Sequence, residues 1–182
     1  MDDRDIVRLY RSGRRKEAFD EIVRSYSERL YWHVRSFVCS HEDTDDVLQD
    51  IFMKIWAALP SFREEAQLFT WIWRIATNES LNFLRSQRLR AALSFESLAD
   101  SLDRKLTAST GVDADSAQIA LSLAINRLPD KQRTVFCMRY YEDLSYEDIS
   151  EILDTSVGAL KASYHIAAEK IKNYLKENGH TD

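Results

Sequence analysis

The chain has few residues that interrupt helices. Among its 182 residues are four glycines and two prolines, and breakers this sparse favour long helices over an all-β fold. The glycine-rich patterns of phosphate-binding loops, GxxxxGK and GxGxxG, do not occur in the sequence, which disfavours a nucleotide-using enzyme. The composition predicts an all-α protein, and the length suits one medium domain or two small ones.

Paired cysteines, clustered histidines and long apolar runs are also missing. Cys39 and Cys137 are isolated, which is typical of two reduced, buried thiols. The four histidines lack the spacing of metal ligands, which disfavours a small metal protein. No stretch approaches the roughly 20 apolar residues of a membrane span, and the charged first residues are unlike a signal peptide. We therefore expect a soluble, cytoplasmic protein without a bound metal.

An excess of basic residues is absent as well. The formal net charge is −5, and this balance alone disfavours a nucleic-acid partner. The charge is unevenly distributed, however. Acidic residues crowd the segment 42–46, whereas lysines outnumber glutamates from Val157 onward. The acidic average therefore conceals a basic C-terminal segment.

The first half of the chain shows three helical patterns. Apolar residues recur at spacings of three and four over residues 15–39, 45–59 and 68–89, as on the buried stripe of a helix. Pro60 follows the second pattern and predicts its end. We predict that these helices pack as one all-α domain, residues 1–93.

The pattern fades over residues 94–116, where serine, threonine and aspartate are frequent. This composition predicts a flexible linker. Helical patterns resume at residues 119–128 and 131–141 and continue to the end. The chain is therefore expected to contain a second small helical domain, residues 117–182.

Within the second domain the sequence predicts a helix-turn-helix. Ser145 is placed to cap a helix, with Asp148 three residues later as its capping-box partner. The segment 154–156 then forms a short turn, and Ser156 can cap the last helix. Two helices joined by a three-residue turn are the outline of a helix-turn-helix. A plain helical hairpin in a bundle remains the alternative.

The start of the last helix carries short and polar residues of the kind that meet a major groove. Lys161 could reach a phosphate or a guanine edge, and His165 could contact a base or a phosphate. Ser156 and the unpaired N–H groups of the helix terminus could hold a phosphate.

Aromatic and amide residues are concentrated on the third predicted helix, residues 68–89. Trp71 and Trp73 lie close in sequence to Arg74 and to Asn78. Rings that stack and amides that read base edges suit unstacked bases on a single strand, and the loop 62–69 could hold an extruded base. The alternative is that both tryptophans belong to the core and that the arginines form a solvated face.

The acidic helix predicted over residues 45–59 has more apolar residues than one buried stripe needs. The surplus indicates that a protein partner covers part of it. The alternative is a core helix with a charged outer face.

Residues 45–52 have the sequence DDVLQDIF, residues 62–78 have FREEAQLFTWIWRIATN, and the helix-turn-helix follows them. In this order they resemble three motifs of the sigma-70 family of bacterial RNA polymerase sigma factors. Residues 45–52 resemble the DDxxQ[ED]xF core of its polymerase-binding helix. Residues 62–78, FREEAQLFTWIWRIATN, resemble the segment that reads the minus-ten promoter element. Residues 128–133, 144–149 and 156–161 resemble the helix-turn-helix that reads the minus-thirty-five element. The length resembles that of the two-domain extracytoplasmic function (ECF) group, which keeps only regions 2 and 4.

The resemblance implies three sets of site residues. Those expected at the β′ clamp helices of core RNA polymerase are Asp45, Asp46, Gln49, Asp50 and Phe52. Those expected at the minus-ten element are Phe62, Arg63, Thr70, Trp73, Arg74, Asn78 and Asn82. Those expected in the minus-thirty-five major groove are Ser156, Gly158, Lys161, Ala162 and His165.

The function implied by the resemblance is that of an alternative sigma factor. Such a protein binds core RNA polymerase and promoter DNA, starts transcription of a particular regulon, and is commonly held inactive by an anti-sigma factor. It needs no catalytic residue, cofactor or small-molecule substrate. Thr77, Glu79, Ser163 and Ile166 depart from the common family pattern, which leaves the promoter preference open.

Two other classes of function remain at this point. One is a helix-turn-helix regulator that binds duplex DNA by itself as a dimer. The other is a small helical enzyme or metal protein, which the scattered histidines disfavour.

Overall fold

All regular structure in the described part of the chain is helical. The computed structural model describes residues 2–38, 40–93, 100, 103–104, 108 and 116–179, and it confirms the predicted all-α class. The N-terminal unit consists of α1 (Asp3–Arg11), α2 (Arg15–Phe37), α3 (His41–Ala58) and α4 (Leu68–Leu93), with a 3-10 turn (Leu59–Ser61) after α3. The C-terminal unit consists of α5 (Ser116–Asn126), α6 (Asp130–Tyr140), α7 (Tyr146–Leu153) and α8 (Val157–Glu177).

The helix α1 was not among the predicted elements. The Asp2 carboxylate accepts a 2.8 Å hydrogen bond from the Asp5 amide and caps the helix, and Ile6 is fully buried against the rest of the unit. The Tyr26 hydroxyl donates to the Asp3 carboxylate and ties α1 to α2. Burial and this hydrogen bond raise the pKa of the Tyr26 phenol far above its ordinary value, so the donor proton is retained.

The predicted stripes of the N-terminal unit form its core. Helices α2, α3 and α4 pack against one another in pairs, and Leu30, Ile51 and Ile72 are fully buried between them. Helix α3 begins four residues before the predicted start because Ser40 caps it, accepting from the Asp43 amide at 3.1 Å. Pro60 lies in the 3-10 turn that ends this helix, as predicted.

The helix-turn-helix outline is confirmed in the C-terminal unit. Ser145 and Asp148 form the predicted capping box at the start of α7. Asp154 takes a left-handed conformation, with φ of 49°, and turns the chain. Ser156 then caps α8 by accepting from the Ala159 amide at 3.3 Å. Helix α8 packs across the other three helices of the unit.

Other predicted helix boundaries also differ from the observed ones, and two of these differences have a clear physical reason. Helix α4 continues to Leu93 rather than ending at Leu89, because Ala91 is buried and extends its packed face. Helix α5 ends at Asn126, before the predicted end at Leu128. Leu128 precedes Pro129, and the helical conformation is disfavoured for a residue that precedes proline. Most of the predicted linker, residues 94–115 except 100, 103–104 and 108, lies outside the described residues.

The two units pack against each other. Helix α4 contacts α7, and α2 contacts α6. Met138, Ile149 and Leu160 of the C-terminal unit belong to the same buried cluster as Trp73 of the N-terminal unit. Among the described helices, none is long and apolar enough to cross a membrane.

Candidate nucleic-acid and protein interfaces

One face of α3 presents acidic and amide groups to solvent. Asp45, Asp46, Gln49 and Asp50 are all exposed, and the three- and four-residue spacing of Asp46, Gln49 and Asp50 places them side by side on the helix. Phe52 is half-buried, and its ring meets that of Phe19 on α2 edge-on, with centroids 6.4 Å apart. Four of the five predicted polymerase contacts are therefore accessible, and Phe52 also helps to hold α3 on α2.

The same face continues into an apolar surface. Met53 is 63% exposed and Trp56 is 39% exposed. The Arg15 guanidinium lies 4.0 Å from the centre of the Trp56 ring and donates to its backbone carbonyl, which fixes the end of the helix. Met53 was not among the residues predicted for this surface, although its position one turn after Gln49 places it on the same face of the helix. Exposed apolar side chains beside a row of acids are typical of a protein-docking surface.

The loop 62–67 is fixed at one edge of α4. Glu64 takes a positive φ of 60°, and both of its carboxylate oxygens accept from Arg11 of α1, at 2.7 and 2.6 Å. The centroids of the Phe62 and Trp71 rings are 5.0 Å apart, while Arg63 is exposed. An open cleft of about 730 Å³ lies between this loop, α1 and α7. Helix α1 therefore positions the loop that is predicted from the sequence to hold an extruded base.

Three of the predicted minus-ten residues face the C-terminal unit. Thr70 and Trp73 are buried, and the indole N–H of Trp73 donates to the Glu142 carboxylate at 2.7 Å. The Arg74 guanidinium donates twice to the Glu151 backbone carbonyl, at 3.0 and 2.6 Å. The structure brings these residues together against the C-terminal unit. Thr70 and Trp73 are buried there, whereas Arg74 stays exposed, with its guanidinium bound to Glu151. Their contact with DNA remains a prediction that requires the units to separate.

Asn78 and Asn82 are exposed on α4. Asn82 donates to Glu79 at 3.3 Å and accepts from Arg85 at 3.1 Å. Glu79 is also paired with Lys54 of α3 at 2.5 Å. This ion pair between helices accounts for an acid where the family pattern is apolar.

The recognition face of α8 is open to solvent. All five predicted residues are exposed: Ser156, Gly158, Lys161, Ala162 and His165. A side chain at Gly158 would meet nothing within 4 Å, so this position leaves room for the close approach of another molecule. The Lys161 ammonium lies 5.6 Å from the centre of the Tyr146 ring on α7, which holds it near the helix start. In the described residues, no group of acidic, histidine or cysteine side chains has a metal-binding arrangement.

Comparison with protein families and with solved structures agrees with this architecture. Residues 22–90 match the model for sigma-70 region 2, and residues 118–171 match that for sigma-70 region 4. The ECF RNA polymerase sigma-E factor of Haemophilus influenzae is 30% identical over 97% of this chain and 96% of its own length. That of Escherichia coli K12 is 31% identical over 97% and 95%.

A further relative, and two solved structures of similar fold, also match most of the chain. The ECF sigma factor SigW of Bacillus subtilis is 28% identical over 89% of this chain and 91% of its own. The fold is similar to that of CnrH, solved in complex with the cytosolic domain of CnrY, with a TM-score of 0.67, 24% identity, and coverage of 96% and 97%. It is also similar to that of RpoE from Bartonella quintana, solved with the anti-sigma factor NepR, with a TM-score of 0.63, 22% identity, and coverage of 87% and 96%.

Both family regions occur in order, and each lies in one of the two helical units. The sigma-E relatives match over nearly the whole of both chains. Members of this family bind core RNA polymerase and promoter DNA, start transcription, and are not enzymes. The chain belongs to the sigma-70 family of RNA polymerase sigma factors, in its ECF group.

Proposed function

We propose that three separate surfaces divide the work of promoter recognition. The exposed acidic face of α3 docks on the β′ clamp helices of core polymerase. Helix α4 and the loop 62–67 bind the minus-ten element, and the start of α8 enters the minus-thirty-five major groove. The domain boundaries assigned to these tasks are residues 1–93 and 117–182, with residues 94–116 between them. The main support is that the predicted residues of α3 and α8 lie on exposed faces of two different units.

The proposed minus-ten site has the chemistry needed to hold an unstacked base. Removing a base from its stack costs a few kcal/mol, and the pocket must offset this cost. The Phe62 ring, which lines the cleft between α1 and the loop, and the adjacent Trp71 ring offer stacking surfaces. The exposed side chains of Arg63 and Asn78 supply a cation for the backbone and an amide for base edges.

We further propose that the protein acts in the cytoplasm and is restrained by an anti-sigma factor. Core polymerase is a cytoplasmic enzyme, and the two solved structures described above are complexes, one with the cytosolic domain of CnrY and one with the anti-sigma factor NepR. The exposed face of α3, including Met53 and Trp56, offers such a partner an apolar surface.

Run-off transcription with purified core polymerase and a library of genomic promoter fragments tests the proposed function. We expect transcripts that depend on this protein, and their aligned start sites will give both promoter elements. If core polymerase does not bind the chain at all, the proposal is wrong, and an independent DNA-binding regulator becomes the better interpretation.

Replacing Lys161 with alanine should weaken binding to a minus-thirty-five duplex obtained from the transcription assay. A good contact to a guanine edge contributes about 1–3 kcal/mol, so we expect a loss of roughly tenfold or more. The affinity is measured by fluorescence anisotropy at several salt concentrations. Lys176→Ala removes the same charge near the other end of α8 and serves as the control. Equal losses in the two variants would indicate a general electrostatic effect and would contradict a specific role for Lys161.

A further inference from the structure

A single carboxylate of the C-terminal unit joins two buried groups of the N-terminal unit. Glu142 lies in the turn between α6 and α7. One of its oxygens is 2.7 Å from Nδ1 of His33 on α2, and the other accepts from Nε1 of Trp73 on α4 at 2.7 Å. The side chains of His33 and Trp73 are both fully buried. Two donors on different helices of one unit thus share one acceptor from the other unit.

The arrangement around His33 is complementary to this carboxylate. An ionised carboxylate only accepts hydrogen bonds, so Nδ1 of His33 carries the proton in this contact. With the proton there, Nε2 lies 3.2 Å from the Thr77 hydroxyl, which can donate to it. Thr77 departs from the basic residue that is common at this place in the family, and here it is buried. A charge-assisted, fully partnered network of this kind is strong in a low-dielectric interior.

Further contacts across the two units surround the network. Arg88 of α4 pairs with Asp130 of α6 at 2.8 Å. The Cys137 sulfur of α6 lies 3.6 Å from the backbone oxygen of Ser36 on α2. The Arg74 guanidinium of α4 donates hydrogen bonds to the Glu151 carbonyl in the last turn of α7. The interface therefore has apolar, ionic and hydrogen-bonded contacts that define one orientation.

We propose that Glu142 is a latch that holds the C-terminal unit over α4 in the chain on its own and so covers part of the minus-ten surface. The covered part contains Thr70 and Trp73, while Arg74 is exposed but has its guanidinium bound to the Glu151 carbonyl. This consequence of the latch rests on the minus-ten role proposed above. The acidic face of α3 and the recognition residues of α8 stay exposed in the latched form. Polymerase can therefore engage α3 before the latch opens.

Opening must be driven by a partner that binds the open form better than the latched one, because a ligand shifts an equilibrium only by its differential affinity. Core polymerase bound along both units, or the minus-ten strand itself, meets this requirement. In Glu142→Ala, the latched form keeps the His33 and Trp73 donors buried without an acceptor, while the open form gives both to water. Because the variant leaves two buried donors without their charged acceptor, the equilibrium constant for opening should rise by about tenfold or more.

The alkylation rate of Cys137 in the full-length chain measures this opening. Cys137 is fully buried. Its side chain packs at the edge of the C-terminal unit's own apolar cluster, and its sulfur contacts Ser36 across the interface, so separation of the units uncovers the sulfur. Modification by N-ethylmaleimide is followed by peptide mass spectrometry, which distinguishes Cys137 from Cys39. We expect Glu142→Ala to react about tenfold faster than the unchanged chain. Glu147→Ala, which removes an exposed acid from the neighbouring helix, should react at the unchanged rate.

Trp73→Phe approaches the same contact from the other unit, because it keeps a smaller aromatic ring but removes the indole N–H. It should also speed alkylation, and circular dichroism should show unchanged helicity in each variant. If both Glu142→Ala and Trp73→Phe react at the rate of the unchanged chain, the latch proposal is wrong.

Binding of a single-stranded minus-ten oligonucleotide from an identified promoter tests whether the latch masks this surface. Glu142→Ala should bind it about tenfold more tightly than the unchanged chain, in the absence of polymerase. Faster alkylation without tighter binding would overturn the masking role. Run-off transcription with an Asn78→Ala variant, whose side chain is already exposed, then decides separately whether α4 reads the minus-ten element.

Discussion

A chain carrying both Asp46→Ala and Gln49→Ala should bind core RNA polymerase at least about tenfold more weakly than the unchanged chain. Both side chains are exposed on α3 and lie one turn apart, in the middle of the proposed docking face. Interface residues that dominate binding contribute about 2 kcal/mol or more when truncated to alanine, and two such residues suffice for this loss. Fluorescence anisotropy of a labelled chain titrated with core polymerase measures it.

The fold should be unaffected, because neither residue belongs to the buried core. Glu169→Ala combined with Asn173→Ala removes an acid and an amide from the exposed surface of α8 and is the matched control. We expect that double variant to bind polymerase as the unchanged chain does. An affinity for polymerase that is the same in all three proteins would rule out the α3 face as the dock.

Local patterns in the sequence were sufficient for most of the helices. The apolar stripes of α2, α3 and α4 face the core because a three- to four-residue period is a property of the helix itself. The capping box of Ser145 and Asp148 was equally predictable, since its two hydrogen bonds join residues three positions apart. The short helix α1 was overlooked, although Asp2 followed by Ile6, Val7 and Tyr10 has the pattern of a capped, amphipathic turn.

The contact between the two units could not be predicted in this way. Glu142 and His33 are 109 positions apart in sequence, and no period or motif relates them. Only the packing of α2 against α6 and of α4 against α7 brings them together. The sequence therefore indicated candidate residues for three surfaces, whose roles stay predictions, but not that one of these surfaces would be partly covered.

Trp73 shows why the two interpretations of the aromatic cluster could not be separated beforehand. One interpretation placed it against an unstacked base and the other placed it in the core. The Trp73 ring is buried, and its centroid is 4.3 Å from that of the Phe69 ring. The Trp73 N–H nevertheless points out of the N-terminal unit to Glu142. A residue at the boundary between two packed units has features of both, and its surroundings depend on whether the units are together.

Replacing Ile149 with alanine should lower the free energy of unfolding by about 2–5 kcal/mol. Ile149 on α7 is fully buried and belongs to the apolar cluster that both units share. Truncation of a buried isoleucine removes its transfer free energy and leaves a cavity, and both terms favour unfolding. Since small proteins have unfolding free energies of about 5–15 kcal/mol, the loss is large enough to measure by urea denaturation followed by circular dichroism.

Ile166→Ala is the control, because this isoleucine is 46% exposed on α8 and exposed positions usually change stability by less than about 0.5 kcal/mol. Equal losses for the two variants would contradict the assignment of Ile149 to the shared core.

The shape of the urea unfolding transition also shows whether the two units unfold together. If the cluster makes the two units one cooperative body, Ile149→Ala should shift a single transition, since its side chain stabilises both units at once. A separate early transition of the C-terminal unit would mean instead that the contacts between units, Glu142 among them, are weaker than those within each unit.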